Sequence, residues 1–563
     1  MPTLTSNLFR GGGDRFQRLL VVEGAWPDDI DGSVFIVGPD KREPRGHWFD
    51  APGLLCRIEL SPDRAGRIPV RQRRVRTRVL RIREKLPFLF RNLAFAELSP
   101  FGVTNLANTN VEQIDGRLFV GYDAGRPVEV DPVSLDVLTP VGSNGEWFQA
   151  MPGVLEPMIA VAAHPAADHD ENALYFVNST PVPSASGPTA FVARWRLDGP
   201  VERWPLGGLA PFESIHDIKA TRSHLVFSDL PFAVGPEVVG IGERTQPNDD
   251  VTHLSIVAKA DLEATPPGQP VPVTSVTIPL PTGHLSVDED DADGLLTVYL
   301  EHIPLADLMI KLEAGAPAHD GPPIPPEYEG LIALGVQPGV VGRYRIDVAT
   351  GEVVDSKLAW DDEFWGAVLA TRDRSTAAGR SGSRQLWFAG TGFDPELIPE
   401  AWWKLYGDAD LNCLIHPKDL PTEPIPASLV RFDLDAMEIV DRWTYDGGAF
   451  PSPPQFIPRR GAEGADDGYV LVLVHQDGDK EIQLFDGADL AGGPIARATV
   501  KGFRPALLLH SCWMPPPSGR RRPDYSVSLG ADVWGAVRDL PRHAVAMIGT
   551  ARAAKAMYAD RFR

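Results

Sequence analysis

Four of the thirteen histidines stand apart by their surroundings. His164 lies in Ala163-His164-Pro165, His216 in Ile215-His216-Asp217 and His284 in Gly283-His284-Leu285. His510 ends an apolar run over 506–509 and precedes Ser511-Cys512-Trp513. One histidine in a chain of 563 residues is ordinarily a satisfied core or surface residue. Four, far apart in sequence and each at the edge of a strand-like segment, are what radially arranged sheets would aim at one central point. Neutral imidazole binds iron, copper, nickel and zinc, so four of them imply a metal and leave its identity open.

The elements that would carry them read as strands. Apolar or alternating runs recur at 34–37, 54–60, 118–122, 174–177, 224–227, 295–300, 469–474 and 481–485, most of them bounded by Gly, Pro, Asp or Asn. The 53 glycines and 54 prolines fit turns between many short strands, which points to an all-β fold. One pattern repeats as Arg194-Trp195-Arg196-Leu197-Asp198, Arg343-Tyr344-Arg345-Ile346-Asp347 and Arg431-Phe432-Asp433-Leu434-Asp435. Alternation sets the aromatic and the Leu or Ile on one face, and the closing Asp favours a tight turn, so each copy reads as the first half of a hairpin. Repeated hairpins suggest a β-propeller with elaborated blades, with a large β-sandwich as the rival. Helical patterning is sparse, at 304–312, around 399–405, and over 532–558, where Pro541 and Gly549 interrupt it.

Composition narrows the partners. A net charge of −22 argues against a nucleic-acid partner, whose phosphates are held by Lys and Arg. Cys56, Cys413 and Cys512 are odd in number and lack CxxC spacing, which suits a reducing compartment, makes the cytoplasm the default location and excludes a thiolate zinc site. No run of about 18 apolar residues supports a membrane span, and the N-terminus has no apolar signal region. Peripheral membrane contact stays open. The Arg-rich segment 71–91 runs into Leu86-Pro87-Phe88-Leu89-Phe90; alternation over 75–83 reads as a solvated strand face, and a cationic rim against lipid head groups is the alternative. The basic tail, with Arg538, Arg542, Arg552, Lys555, Arg561 and Arg563, reads as packing on the body, with a membrane-surface helix as the alternative.

Several motifs share an order along the chain: 21–39 with His47-Trp48-Phe49-Asp50, Asn108-Thr109-Asn110-Val111, 125–132 before Leu135, then the His164, His216 and His284 segments. Gln455-Phe456-Ile457-Pro458-Arg459, 486–496 and 510–515 follow. Through these residues, over nearly its whole length, the chain resembles the carotenoid cleavage oxygenase family, which includes apocarotenoid- and stilbene-cleaving enzymes and the retinal pigment epithelium isomerohydrolase. The resemblance implies a seven-bladed β-propeller with a cap of helices and loops over a central ferrous ion. It would span 1–563 as one domain, with 531–563 a basic helical C-terminal extension.

The same resemblance implies roles. His164, His216, His284 and His510 correspond to the iron ligands, and Thr109 to a threonine whose methyl crowds the iron. Outer carboxylates that accept from ligand imidazoles fix their orientation and basicity. The first corresponds to Asp123, one methylene shorter than the usual glutamate and assigned to His216; the second to Glu363; the third falls on Pro453, which has no side-chain acceptor. Val287-Asp288-Glu289-Asp290 also departs from the family pattern after His284. The implied reaction is iron(II)- and dioxygen-dependent cleavage of a carbon–carbon double bond in a lipophilic polyene, giving two carbonyl products. Phe101, Tyr122, Phe232, Trp365, Leu509 and Trp513 neighbour the motifs and are the candidate lining of an apolar tunnel. Tyr122 stands where stilbene-cleaving relatives carry a lysine, which favours a carotenoid or apocarotenoid-like substrate over a stilbene. A phenylpropanoid-cleaving oxygenase, an isomerase-hydrolase and a metal-free propeller scaffold are the competing readings.

Overall fold

Every apolar run expected to form a strand does so in the computed structural model, and strand position in the sheet explains its burial. Ser33–Pro39, Ala173–Ser179 and Gly468–His475 are buried along their whole length because both faces are covered, whereas Thr274–Pro279 alternates and Val353–Ala359 is largely exposed. The structure describes residues 5, 8–41, 46–93, 96–179, 190–209, 212–232, 244–288, 293–333, 335–366, 369–371, 382–476, 480–523, 525–530 and 532–537.

Antiparallel sheets follow one another along the chain. The first joins Asn110–Ile114, Arg117–Tyr122, Gly125–Val130 and Val137–Pro140. The second stacks Ala160–Val161 and Ala166–Asp168 on Ala173–Ser179, then Ala190–Trp195 and Glu202–Gly207. The third runs Ser214–Ala220, His224–Leu230, Val251–Ala258, Thr274–Pro279, and the fourth Thr282–Val287, Leu295–His302, Val340–Asp347, Val353–Ala359. The fifth joins Leu369–Ala370, Gln385–Gly390, Ser428–Asp433 and Glu438–Thr444. A ten-stranded sheet then unites the two ends of the chain. Its hinge is Arg15–Gly24, whose residues 20–24 pair with 496–499 and whose residues 15–19 pair with 68–72.

Apolar clusters fill the space between successive sheets. Phe119 shares a cluster with Phe176 and Trp195, Tyr175 with Phe227, Val226 with Val298, and Tyr299 with Phe388. Trp387 then shares one with Val472, Leu471 with Ile36, and Phe35 with Val120, which returns to the first sheet. Each such aromatic or aliphatic side chain, fully buried, contributes about 1.5–3 kcal/mol.

All three copies of the repeated pattern begin on a strand that hairpins to its neighbour, Ala190–Trp195 to Glu202–Gly207, Val340–Asp347 to Val353–Ala359 and Ser428–Asp433 to Glu438–Thr444, but only the second lies wholly on it: Leu197 and Leu434 are past the strand ends. Asp347 accepts from the N–H groups of Ala349 and Thr350 at its turn, but in the last copy Asp433, not Asp435, does this, accepting from Asp435 and Ala436. Helices are short. Glu400–Tyr406 lies where one was expected. Residues 304–312 form turns instead, where Asp307 Oδ1 accepts from the N–H of Met309 and Asp307 Oδ2 from the Tyr406 hydroxyl. Over 75–83 the expected strand face is replaced by the helix Arg78–Arg83. Val79 and Leu80 turn inward there while Arg81 faces solvent, a helical spacing that a short alternating run imitates. Residues 532–537 are helical, and the rest of the basic tail, like Glu289 and Asp290, lies outside the described residues.

Candidate metal centre

Three strands, carrying His216, His284 and His510, and an isolated bridge at His164 bring the four imidazoles together. All four are buried, and one nitrogen of each lies within 4.8 Å of the others. The ring centroid of His164 stands 4.4 Å from that of His216, 4.9 Å from His284 and 4.3 Å from His510. Imidazole nitrogens bound at about 2.1 Å to one cation lie up to about 4.2 Å apart, so the set fits a metal with little adjustment.

Local backbone irregularity aims two of them. Pairing of Ser214–Ala220 with His224–Leu230 slips between Ile215 and Asp217, so His216 is the extra residue of a bulge. Pairing of Thr282–Val287 with Leu295–His302 slips in the same way at Gly283, beside His284. A bulge bends its strand and re-aims a side chain. His164 is stitched to the next sheet instead: its N–H donates to the carbonyl of His216 and its carbonyl accepts from Ile218, each at 3.2 Å. Close approach of that segment depends on Gly121, where a Cβ would lie 2.2 Å from the carbonyl oxygen of Ala163. His510 opens the strand His510–Met514 opposite Val37.

Carboxylates surround the rings. Asp123 Oδ1 lies 2.9 Å from His216 Nδ1 and accepts from the N–H of Ala163 at 3.1 Å. This is the pairing expected from the sequence. Asp217 Oδ2 lies 3.4 Å from His284 Nδ1, and nothing in the sequence reading singled it out. Both contacts fall on Nδ1, which leaves Nε2 of each ring for a metal. Glu363 is a correction: its side chain is 80% exposed and pairs with Arg442, because the Asp361–Glu363 turn faces outward toward that guanidinium. Pro453 lies in a buried run where the N–H of Ser452 donates to the carbonyl of Leu473, and it adds no carboxylate. Asp288 points away to Arg384 and Tyr299.

Thr109 is buried beside the strand Asn110–Ile114, and its hydroxyl donates to Asn108 Oδ1 at 3.0 Å. The Asn108 amide in turn donates to the carbonyls of Phe49 and Ala51, tying the His47-Trp48-Phe49-Asp50 turn to this wall. Burial pushes His47 down to about 3 and Asp50 up to about 6, so at neutral pH the histidine is uncharged. Tyr122 is buried, and burial, reinforced by Asp123, Asp50 and Glu97, raises its hydroxyl far above the ordinary phenol.

Of the other expected lining residues, Trp365 and Leu509 pack against side chains that line an apolar cavity. Trp365 packs on Phe393 at 5.0 Å in an apolar cap cluster, with its indole N–H on the carbonyl of Asp362. Trp513 packs between sheets and donates to the carbonyl of Asp31, because it faces opposite to His510 and Cys512 along its strand. Leu509 packs with Trp48, Leu312 and Leu331. Phe101 and Phe232 are half-buried. Two apolar cavities share Ile332 and Ala333. One is lined also by Leu312, Val336 and Phe393, the other by Ile303, Gly366 and His302. Burial holds His302 down at about 4, between Thr282 and the Tyr344 hydroxyl. The lining comes from loops at 303–338 and 391–398, whose role no local periodicity announces.

Comparison with known proteins agrees with this geometry. The family model described as retinal pigment epithelial membrane protein matches residues 13–274 and 402–515. The chain is 22% identical over 515 residues to an apocarotenoid-15,15'-oxygenase of Synechocystis, covering 87% of this chain and 92% of that one. A resveratrol cleavage oxygenase of Chaetomium globosum is 28% identical over 250 residues, 41% of this chain and 39% of that one. Among solved structures, the lignostilbene dioxygenase of Pseudomonas brassicacearum superposes with a TM-score of 0.62 at 22% identity, covering 92% of this chain and 98% of that one. The Synechocystis apocarotenoid oxygenase superposes with a TM-score of 0.60 at 18% identity, covering 92% and 100%. With the family model spanning more than half of its length, the chain belongs to the retinal pigment epithelial membrane protein family, that of the carotenoid- and stilbene-cleaving oxygenases.

Proposed function

We propose that the chain is an iron(II)-dependent dioxygenase that cleaves a carbon–carbon double bond of an apolar, carotenoid- or apocarotenoid-like polyene into two carbonyl products. The observation that carries this reading is the convergence of four buried imidazoles in a chain similar to alkene-cleaving oxygenases. Four neutral ligands fit ferrous iron and keep its full double charge. When bound, the iron would supply activation of dioxygen beside the alkene. The protein's part is to orient the ligands, to limit coordination with the methyl of Thr109, and to hold the polyene in dry apolar space. Ile332, Ala333, Val336 and Phe393 are the assigned walls, which keep water from the reacting bond. Tyr122 remains protonated at neutral pH and adds no cation for a phenolate, which supports a polyene over a stilbene. Local similarity to resveratrol-cleaving oxygenases keeps a phenolic alkene as the second reading.

The same reading takes the chain, 1–563, as one seven-bladed propeller with 531–563 as a basic extension. Clusters of side chains join successive sheets in a cyclic series, and the ten-stranded sheet divides at Arg15–Gly24 into two blades. Among the described residues no helix is long and apolar enough to cross a membrane. Peripheral lipid contact would use Phe88, 68% exposed, with Leu86, Arg81, Lys85 and Arg91 around it. A cytoplasmic location is part of the same reading.

The test has two parts. Purified protein is expected to hold about one iron per chain, and His216→Ala or His284→Ala to lose it; full iron occupancy in either variant would overturn the ligand assignment. Turnover of a panel of polyenes and stilbenes under labelled dioxygen is expected to place label in both carbonyl fragments, and its absence from both, with exchange into water controlled, would favour an isomerase-hydrolase.

A further inference from the structure

The resemblance places the second outer carboxylate at Glu363, and the structure turns that side chain to solvent. A different acid occupies the space. Asp217 follows the ligand His216 directly, and its backbone bridges His164. Its side chain is wholly buried, with Oδ2 3.4 Å from His284 Nδ1 and accepting from the N–H of Leu285 at 3.3 Å. Oδ1 accepts from Lys219 Nζ at 2.7 Å. The carboxylate is thus pinned on both oxygens, by a lysine on its own strand and by the backbone beside the imidazole it faces.

We propose that Asp217 is the positioning residue of His284, fixing the ring so that Nε2 points to the metal, in the role the family pattern gives to Glu363. This rests on the metal-centre reading above. The physical case has three steps. A carboxylate facing Nδ1 favours the tautomer with its proton there, so Nε2 carries the lone pair that a metal needs. A buried carboxylate is costly unless compensated, and the compensation comes from Lys219 on Oδ1 and from the Leu285 N–H on Oδ2, the oxygen that also faces the ring. The bulge at His216 turns this stretch of strand, so one segment supplies both a ligand and the support for the next ligand. The adjacent imidazoles are then coupled through four consecutive residues, His216 to Lys219, and this makes the third sheet the organiser of the centre.

The experiment titrates the full chain, stripped of metal, with cobalt(II), reading the visible absorption of the bound ion and the affinity by chelator competition. Melting of the metal-free protein is followed in parallel. Asp217→Asn is expected to weaken cobalt binding about 10–100-fold, the effect of an outer carboxylate, and to change the absorption bands. Glu363→Gln is expected to stay within about twofold of wild type, as a surface change does. Wild-type affinity and spectrum in Asp217→Asn would overturn the inference and leave the four-histidine centre standing. Loss of affinity in Glu363→Gln would overturn it too, and that variant decides the matter if Asp217→Asn does not fold. A wild-type chain that takes up no cobalt at this site would overturn the metal-centre reading itself. A merely structural Asp217 would lower the melting of the metal-free protein without moving the cobalt spectrum of what remains folded, and this also counts against the proposal.

Discussion

Asp123 Oδ1 stands 2.9 Å from His216 Nδ1 and binds the N–H of Ala163, one residue before His164, at 3.1 Å. A single carboxylate therefore links the first, second and third sheets at the point where two imidazoles meet.

Asp123→Asn tests that link. An amide is a weaker acceptor than a carboxylate, so iron affinity should fall about 10–100-fold while the fold survives. Iron titration with far-ultraviolet circular dichroism as the control checks it, and unchanged affinity would remove Asp123 from the centre.

Gly121→Ala tests the approach of the His164 segment. The added Cβ would meet the Ala163 carbonyl oxygen at 2.2 Å, so backbone must shift, and His164 with it. Iron per chain should drop well below one, while a control change at the exposed Gly66, where nothing lies within 4 Å, should retain iron.

Glu213 gives a pH signature. Burial, with the charges of Asp249 and Asp229, pushes its carboxyl up to about 8 from an ordinary value near 4.5. The folded state then holds a proton that the unfolded state releases, so this group's contribution to stability falls as pH rises from about 4.5 to 8. Glu213→Gln should melt like wild type near pH 4 and above it at pH 9, and equal melting at both would show that the carboxyl is not held protonated.

Ala333→Phe narrows both cavities at the wall they share. Turnover of a long polyene should fall about 10-fold or more, with iron content unchanged, because the added ring takes volume rather than a ligand. Steady-state kinetics on substrates of two lengths checks it, and equal kinetics would place the substrate elsewhere.

Much of the strand framework was legible because its signal is local. Alternation over 481–485 or an apolar run over 469–474 depends on each strand's own burial, and the repeated Arg-aromatic pattern marked three hairpins correctly. The four histidines and the Asp123–His216 pairing followed from motif order. Where a short window mixes periods, as at 75–83, a helix with Val79 and Leu80 inward passed for a strand face.

What only the tertiary structure decided is which side chains face which. Trp513 and Trp365 neighbour motifs in sequence yet pack into apolar clusters; Trp513 does so because alternate strand residues point oppositely and it faces away from His510, and Trp365 because it packs on Phe393. Glu363 matched a motif position, but its turn faces Arg442, while Asp217 reached His284 through a bulge that no residue type advertises. The amino-acid sequence by itself determined the ligand types and the strands that carry them, because both are properties of short segments. The orientation of those ligands and the cavity beside the cap were decided by register slips and sheet-to-sheet packing, which join residues tens of positions apart, 40 for Asp123 and Ala163 and 68 for Asp217 and Leu285.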